Sequence, residues 1–307
     1  MYQAHFGLQE PPFSLTPNTG LYYGLPPHEE ALQVLRIALA SGEGFIKVTG
    51  EVGTGKTLLL RKLMGELSPT QQVAYLPNPY LAPDELRQAL ALELGVTAEG
   101  GALAVTDAIH RRLVELKREG RGVVVLLDEA QALPDASLEA IRLFGNLETE
   151  SSKLLQVVLF GQPELDVRLQ ADQLRQLRQR ITFSYRLRPL LRDETRAYLE
   201  YRLMASGYRS APLFAPAAVR LLWRASRGIP RLINILAHKA LMVAFGEGRR
   251  QVSPAHVRRA QLDTEGAQPF LAHRPAWFGW GLAALSLSLL ALVGAWPWLG
   301  QWRELLP

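Results

Sequence analysis

The chain has 307 residues, long enough for a layered core plus a smaller accessory domain. With 48% hydrophobic and 21% charged residues it is not a mainly disordered chain, and with no cysteine it has no disulfide, thiolate metal site or cysteine nucleophile. Its 34 Lys and Arg against 29 Asp and Glu leave a formal charge of +5, a mild excess compatible with an anionic membrane or nucleic acid but demanding neither.

The first 27 residues are rich in proline, glycine and aromatics, as in Pro11-Pro12-Phe13 and Tyr22-Tyr23-Gly24. Such a segment resists regular helix, and its aromatics predict packing on a domain surface. No basic stretch leads into an apolar run, so no secretory signal peptide is expected. A helix follows over about 28–40.

From there to about residue 187 apolar runs alternate with helical patterns. The runs at 45–49, 73–76, 123–127, 154–160 and 181–187 predict strands, and 57–67, 83–94, 103–119 and 135–149 predict helices. The third run is apolar at all five positions, which suits a strand buried on both faces of a parallel sheet. After Pro189 the strand signals stop, and helices are predicted near 192–206, 215–226, 230–245 and 253–261. Pro216, Pro230 and Pro254 stand near helix starts, where a missing N–H costs little.

Residues 262–275 read as a linker, and 276–299 hold no charged residue. About 20 apolar residues cross a bilayer core, and tryptophans at 277, 280, 296, 298 and 302 form a belt at both ends. A transmembrane helix over 276–299 is expected, with a short periplasmic tail at 300–307. Arg258, Arg259 and Arg274 precede the span and Arg303 alone follows it, which favours the N-terminal side as cytoplasmic.

Gly50-Glu51-Val52-Gly53-Thr54-Gly55-Lys56-Thr57 matches the full phosphate-loop pattern between a predicted strand and a predicted helix. Its backbone N–H groups cradle phosphates, Lys56 reaches the β- and γ-phosphates, and the Thr57 hydroxyl holds Mg²⁺. The run 123–127 ends in Asp128-Glu129. Asp128 is the expected second Mg²⁺ residue, and Glu129 is expected to orient or deprotonate the attacking water. Gln162, at the end of the next run, is a candidate for positioning that water. Arg180 is a candidate finger reaching a neighbouring subunit, and Arg231 a candidate to fold over the γ-phosphate of its own site. ATP and Mg²⁺ are the expected ligands.

The chain resembles AAA+ ATPases of the general secretion pathway protein A type, and in layout its pilus-associated members, such as the mannose-sensitive haemagglutinin (MSHA) pilus biogenesis ATPase. The resemblance rests on Phe6-Gly7-Leu8, residues 12–17, the phosphate loop, Asp128-Glu129-Ala130-Gln131, Gly161-Gln162-Pro163-Glu164-Leu165, Gln179-Arg180-Ile181 and Gly228-Ile229-Pro230-Arg231, across roughly 1–260. It implies an AAA+ nucleotide-binding α/β domain over 1–190 with a parallel sheet, and a helical lid domain over 191–261. It also implies ATP hydrolysis for assembly of the cell envelope, with Gln162 as sensor 1, Arg180 as the finger and Arg231 as sensor 2. Some members continue beyond the membrane helix into a peptidoglycan-binding domain. This sequence stops at Pro307, and direct peptidoglycan binding is not expected.

The leading expectation is an inner-membrane, single-pass ATPase that supports a type IV pilus or a type II secretion apparatus. Its expected partners are further copies of itself in a ring or dimer, envelope components and membrane lipid. A transposition-type AAA+ regulator that binds DNA shares the early motifs, but has no need of a membrane helix. A scaffold that binds ATP and scarcely turns it over is a third reading, which the intact Glu129 opposes.

Overall fold

Valine and leucine fill strand β3 (Gly122–Leu127), and neither face of it meets solvent. Val123, Val125 and Leu127 enter one hydrophobic cluster, while Val124 and Leu126 enter another on the opposite face. The computed structural model describes residues 2–14, 23–67, 71–97, 100–145, 147 and 153–267. Strands β1 (Phe45–Gly50), β2 (Gln71–Leu76), β3, β4 (Gln156–Gly161) and β5 (Ile181–Leu187) all run parallel, in the order β2-β3-β4-β1-β5. The edge strand β5 alternates between exposed and half-buried positions, because only its inward face finds a partner layer.

Helices cover both faces. Helix α1 (Gln3–Phe6) is a single turn, so the proline-rich opening does contain a short helix, closed by Gly7 at φ 70°. On one face lie α2 (Pro26–Ala40) and α3 (Lys56–Leu67). Leu59, Leu60 and Leu63 of α3 are fully buried, and each such side chain contributes about 1.5–3 kcal/mol to holding the phosphate-loop helix on the sheet. On the other face lie α4 (Pro83–Glu93), α5 (Ala102–Arg118) and α6 (Asp135–Phe144). The short helices α7 (Pro163–Arg168) and α8 (Arg175–Arg180) lead from β4 into β5.

A third cluster belongs to α9 (Arg192–Ala205), α10 (Pro216–Ser226), α11 (Pro230–Gly246) and α12 (Pro254–Leu262). The N-terminal segment completes it. Tyr2, Phe6, Leu8 and Phe13 are buried among these helices, so the opening aromatics are core residues rather than a surface dressing. Polar contacts fasten the same strap: Gln9 donates its N–H to Ser206 O at 2.9 Å, and the Tyr2 hydroxyl lies 2.8 Å from His238 Nδ1.

The parallel register decides where chemistry can occur. Thr49 pairs with Gly161 and Leu127 with Leu159, so the carboxyl ends of β1, β3 and β4 open on one edge of the sheet. The helical layer reaches that edge through a turn with special backbone needs. Gly228, at φ 73°, accepts a hydrogen bond from Leu190 N at 2.8 Å, and a Cβ on it would lie 2.1 Å from Leu190 O. Only glycine fits there, and the turn delivers Pro230 and Arg231 to the start of α11.

Among the described residues no helix is long and apolar enough to cross a membrane. The expected span at 276–299 and its tail lie outside the described residues.

Candidate nucleotide-binding site

The loop after β1 closes over its own backbone. Gly53 and Gly55 take φ values of 83° and 99°, which let successive N–H groups turn toward one centre. Both glycines are also needed for space. A Cβ on Gly53 would stand 2.6 Å from Arg231 Cβ, and one on Gly55 would stand 2.7 Å from His28 Nε2. The loop is thus held between α2 and α11. Burial pulls the His28 imidazole below its ordinary range, and Thr54 O, 2.9 Å from Nε2, can only accept. His28 is therefore a neutral donor with its proton on Nε2.

Lys56 is 5% exposed, and its ammonium donates to Gly50 O at 2.8 Å and Glu51 O at 3.2 Å. Burial pulls its pKa down, while the carboxylates of Glu129 and Asp128 push it back up. Thr57 donates its hydroxyl to Asp128 Oδ2 at 2.9 Å. Burial raises the Asp128 pKa, against the opposing effect of the Thr57 hydroxyl and the Glu129 N–H. A hydroxyl and a carboxylate side by side form the small all-oxygen set that suits Mg²⁺, which takes its remaining ligands from phosphate and water.

Glu129 sits in the left-handed region at φ 50°, a strain of about 1–3 kcal/mol for a residue with a side chain. Its side chain lines the same cleft as the loop. Gln131 Nε2 donates to Glu129 Oε2 at 2.7 Å and Gln162 Nε2 donates to the same atom at 3.0 Å. Burial pushes this carboxyl up, but the amides of Gln162 and Gln131 and the charge of Lys56 outweigh it and hold it below the usual range. Gln131 Oε1 also accepts the backbone N–H of Gln162 at 2.9 Å. One side chain therefore ties the end of β3 to the end of β4. Helix α7, which follows Gln162, is anchored in turn: Asp166 pairs with Lys47 and accepts from the Thr49 hydroxyl at 3.0 Å.

Arg231 donates its backbone N–H to Gly53 O at 3.1 Å and lines the same cleft as the loop. The cleft has a volume of about 420 Å³, within the range of sites that hold small ligands. Its walls include Val52, Gly53, Gly55, Lys56, Thr57 and Glu129, with His28 against the loop, and Tyr198, Arg202 and Asn234 from the helical layer. Arg180 lies elsewhere, its guanidinium donating to Arg142 O at 3.0 Å near the end of α6.

The sequence thus placed Lys56, Thr57, Asp128, Glu129, Gln162 and Arg231 in what proves to be one neighbourhood, with Gly50, Glu51 and Thr54 shaping the loop. It missed the role of Gln131, which it registered only as part of a motif. It also missed His28, Tyr198, Arg202 and Asn234, which come from distant helices and carry no local pattern.

Residues 38–169 match the family described as AAA domain. General secretion pathway protein A of Aeromonas hydrophila is 41% identical over 300 residues, which is 97% of this chain and 54% of that protein. The chain therefore spans about half the length of that curated relative. Cdc6p from Pyrobaculum aerophilum superposes with a TM-score of 0.62 at 20% identity, over 82% of this chain and 70% of its own. The Aeropyrum pernix ORC2 protein does so with a TM-score of 0.57 at 19% identity, over 79% and 68%. At that identity the two structures establish the fold alone. Together with the site geometry, these similarities mark the chain as a P-loop protein with an AAA domain, akin over nearly its whole length to general secretion pathway protein A.

Proposed function

We propose that this protein binds ATP with Mg²⁺ and hydrolyses it in support of a bacterial envelope assembly, a type IV (MSHA-like) pilus or a type II secretion apparatus. The observation that carries the catalytic part is the convergence of Lys56, Thr57, Glu129 and Arg231 on one cleft, with Asp128 bonded to Thr57 and Gln162 bonded to Glu129. Lys56 and the loop N–H groups hold the phosphates, and Thr57 and Asp128 hold the metal, which neutralises charge on the phosphate oxygens when bound. Glu129 accepts a proton from the attacking water, and Gln162 fixes the angle of that carboxylate. Arg231 begins a helical lid and supplies positive charge from above. The envelope role is supported by similarity to general secretion pathway protein A. That relative also makes the DNA-binding alternative the weaker reading.

Arg180, turned to the end of α6, serves a neighbour's site in this proposal, so turnover requires assembly. Arg180→Ala subunits keep an intact nucleotide site, and Lys56→Ala subunits keep an intact finger. Mixing the two should restore hydrolysis above either alone. Mixed assemblies that form but stay as inactive as their components would count against a shared site.

The same proposal places 276–299 across the inner membrane once, with the ATPase on the cytoplasmic side. Alkaline phosphatase fused after Pro307 should be active in whole cells, and a cytoplasm-active reporter at the same position should be silent. The reverse pattern would overturn this topology.

A further inference from the structure

The helical wall of the cleft carries a chain of hydrogen bonds whose direction is fixed. Arg202 is 9% exposed and donates Nε to Pro12 O at 2.7 Å. Its Nη1 donates to the Tyr198 hydroxyl at 3.2 Å. That hydroxyl, which already accepts from Arg202, lies 2.9 Å from Asn234 Oδ1. A guanidinium can only donate, so the hydroxyl proton is left for Asn234. Flipping the Asn234 amide would aim two donors at one hydroxyl and leave the hydroxyl proton with no acceptor in a buried setting. The relay therefore holds Oδ1 toward Tyr198 and turns the amide NH₂ away from it.

Asn234 is 8% exposed, and what exposure it has faces the cleft it lines. Its amide nitrogen is not among the sealed, unpartnered atoms, and no hydrogen bond to another described residue engages it. It is a preset donor in the cleft. Its position sets what it meets. Asn234 stands three residues beyond Arg231 on α11, about 4.5 Å farther along the axis from the loop that Arg231 touches. Phosphates occupy the loop end, so a donor farther along α11 meets the part of a nucleotide beyond its phosphates.

We propose that Asn234 reads the base of the bound nucleotide, its amide donating to a ring nitrogen of a purine, with Tyr198 and Arg202 as positioning residues that fix its orientation. This inference rests on the nucleotide reading above and goes beyond it by assigning specificity to the helical layer. A site whose donor is preset discriminates against any base that lacks the matching acceptor.

The test compares binding of the full chain to ATP, to 1-, 3- and 7-deaza-ATP, each lacking one ring acceptor, and to inorganic tripolyphosphate. Wild type should bind one deaza analogue about 10-fold more weakly than ATP, the scale of one hydrogen bond. Asn234→Ala should bind ATP about 10-fold more weakly, bind that analogue and ATP alike, and keep wild-type affinity for tripolyphosphate, which shows an intact loop. Tyr198→Phe, which keeps the packing but frees the amide, should show a partial loss of the same discrimination. Equal binding of all three analogues by wild type, or an Asn234→Ala loss that extends equally to tripolyphosphate, would overturn the assignment. A wild-type chain that binds tripolyphosphate but not ATP would overturn the nucleotide reading itself.

Discussion

Lys56→Ala should weaken ATP binding by at least about 10²-fold, as measured by titrating the full chain with a fluorescent ATP analogue. A charge-assisted hydrogen bond contributes about 1.5–3 kcal/mol, and an ammonium that reaches two phosphates makes two of them. That ammonium is buried and bonded to Gly50 O and Glu51 O, carbonyls that are weaker partners than an anion. Binding phosphate there is favourable because burial has lowered the lysine pKa, so a neighbouring negative charge recovers part of the lost solvation. An unchanged affinity in Lys56→Ala would remove this residue from the phosphate site.

Glu129→Gln should leave ATP bound and slow steady-state hydrolysis by about 10²-fold or more, the usual cost of losing a general base. The substitution keeps the shape of the side chain. It also keeps an acceptor for Gln131 and Gln162, which now donate at 2.7 and 3.0 Å to a single carboxylate oxygen. The strained backbone at φ 50° is therefore still held from both sides. Binding and turnover measured on the same preparation separate the two roles. Normal turnover in this variant would show that Glu129 does not serve the chemistry, and lost binding would show that it serves the loop instead.

What the sequence made legible was what lies close together along it. The phosphate loop is eight consecutive residues, and Asp128-Glu129 follows directly on an apolar run that could only be a buried strand. Gln162 was legible for the same reason, since it stands just past the end of β4. The first helix of the sheet domain begins at Pro26 rather than 28, because Pro26 and Pro27 fit positions where no N–H is required. The illegible parts depend on approach between distant segments. Nothing near Gln131 announces that a left-handed Glu129 will swing it onto Gln162, and nothing near Asn234 announces Tyr198, 36 positions away. The N-terminal aromatics gave a true signal of packing but no address, since their partners lie near the other end of the described chain.

That distance gives the molecule an order of assembly. Pro12 and Arg202, bonded in the folded chain, are 190 positions apart, and Tyr2 and His238 are 236 apart. A ribosome adding about 5–20 residues per second makes the last of these partners roughly 10–50 s after the first. Tyr2, Phe6, Leu8 and Phe13 are thus among the first large apolar side chains to emerge and among the last to be covered. The α/β layers can close in the interval, since their strands all lie between positions 45 and 187. The newborn N-terminus stays open for that time to whatever binds nascent chains, and the cleft gains its helical wall only when the strap is finally buried.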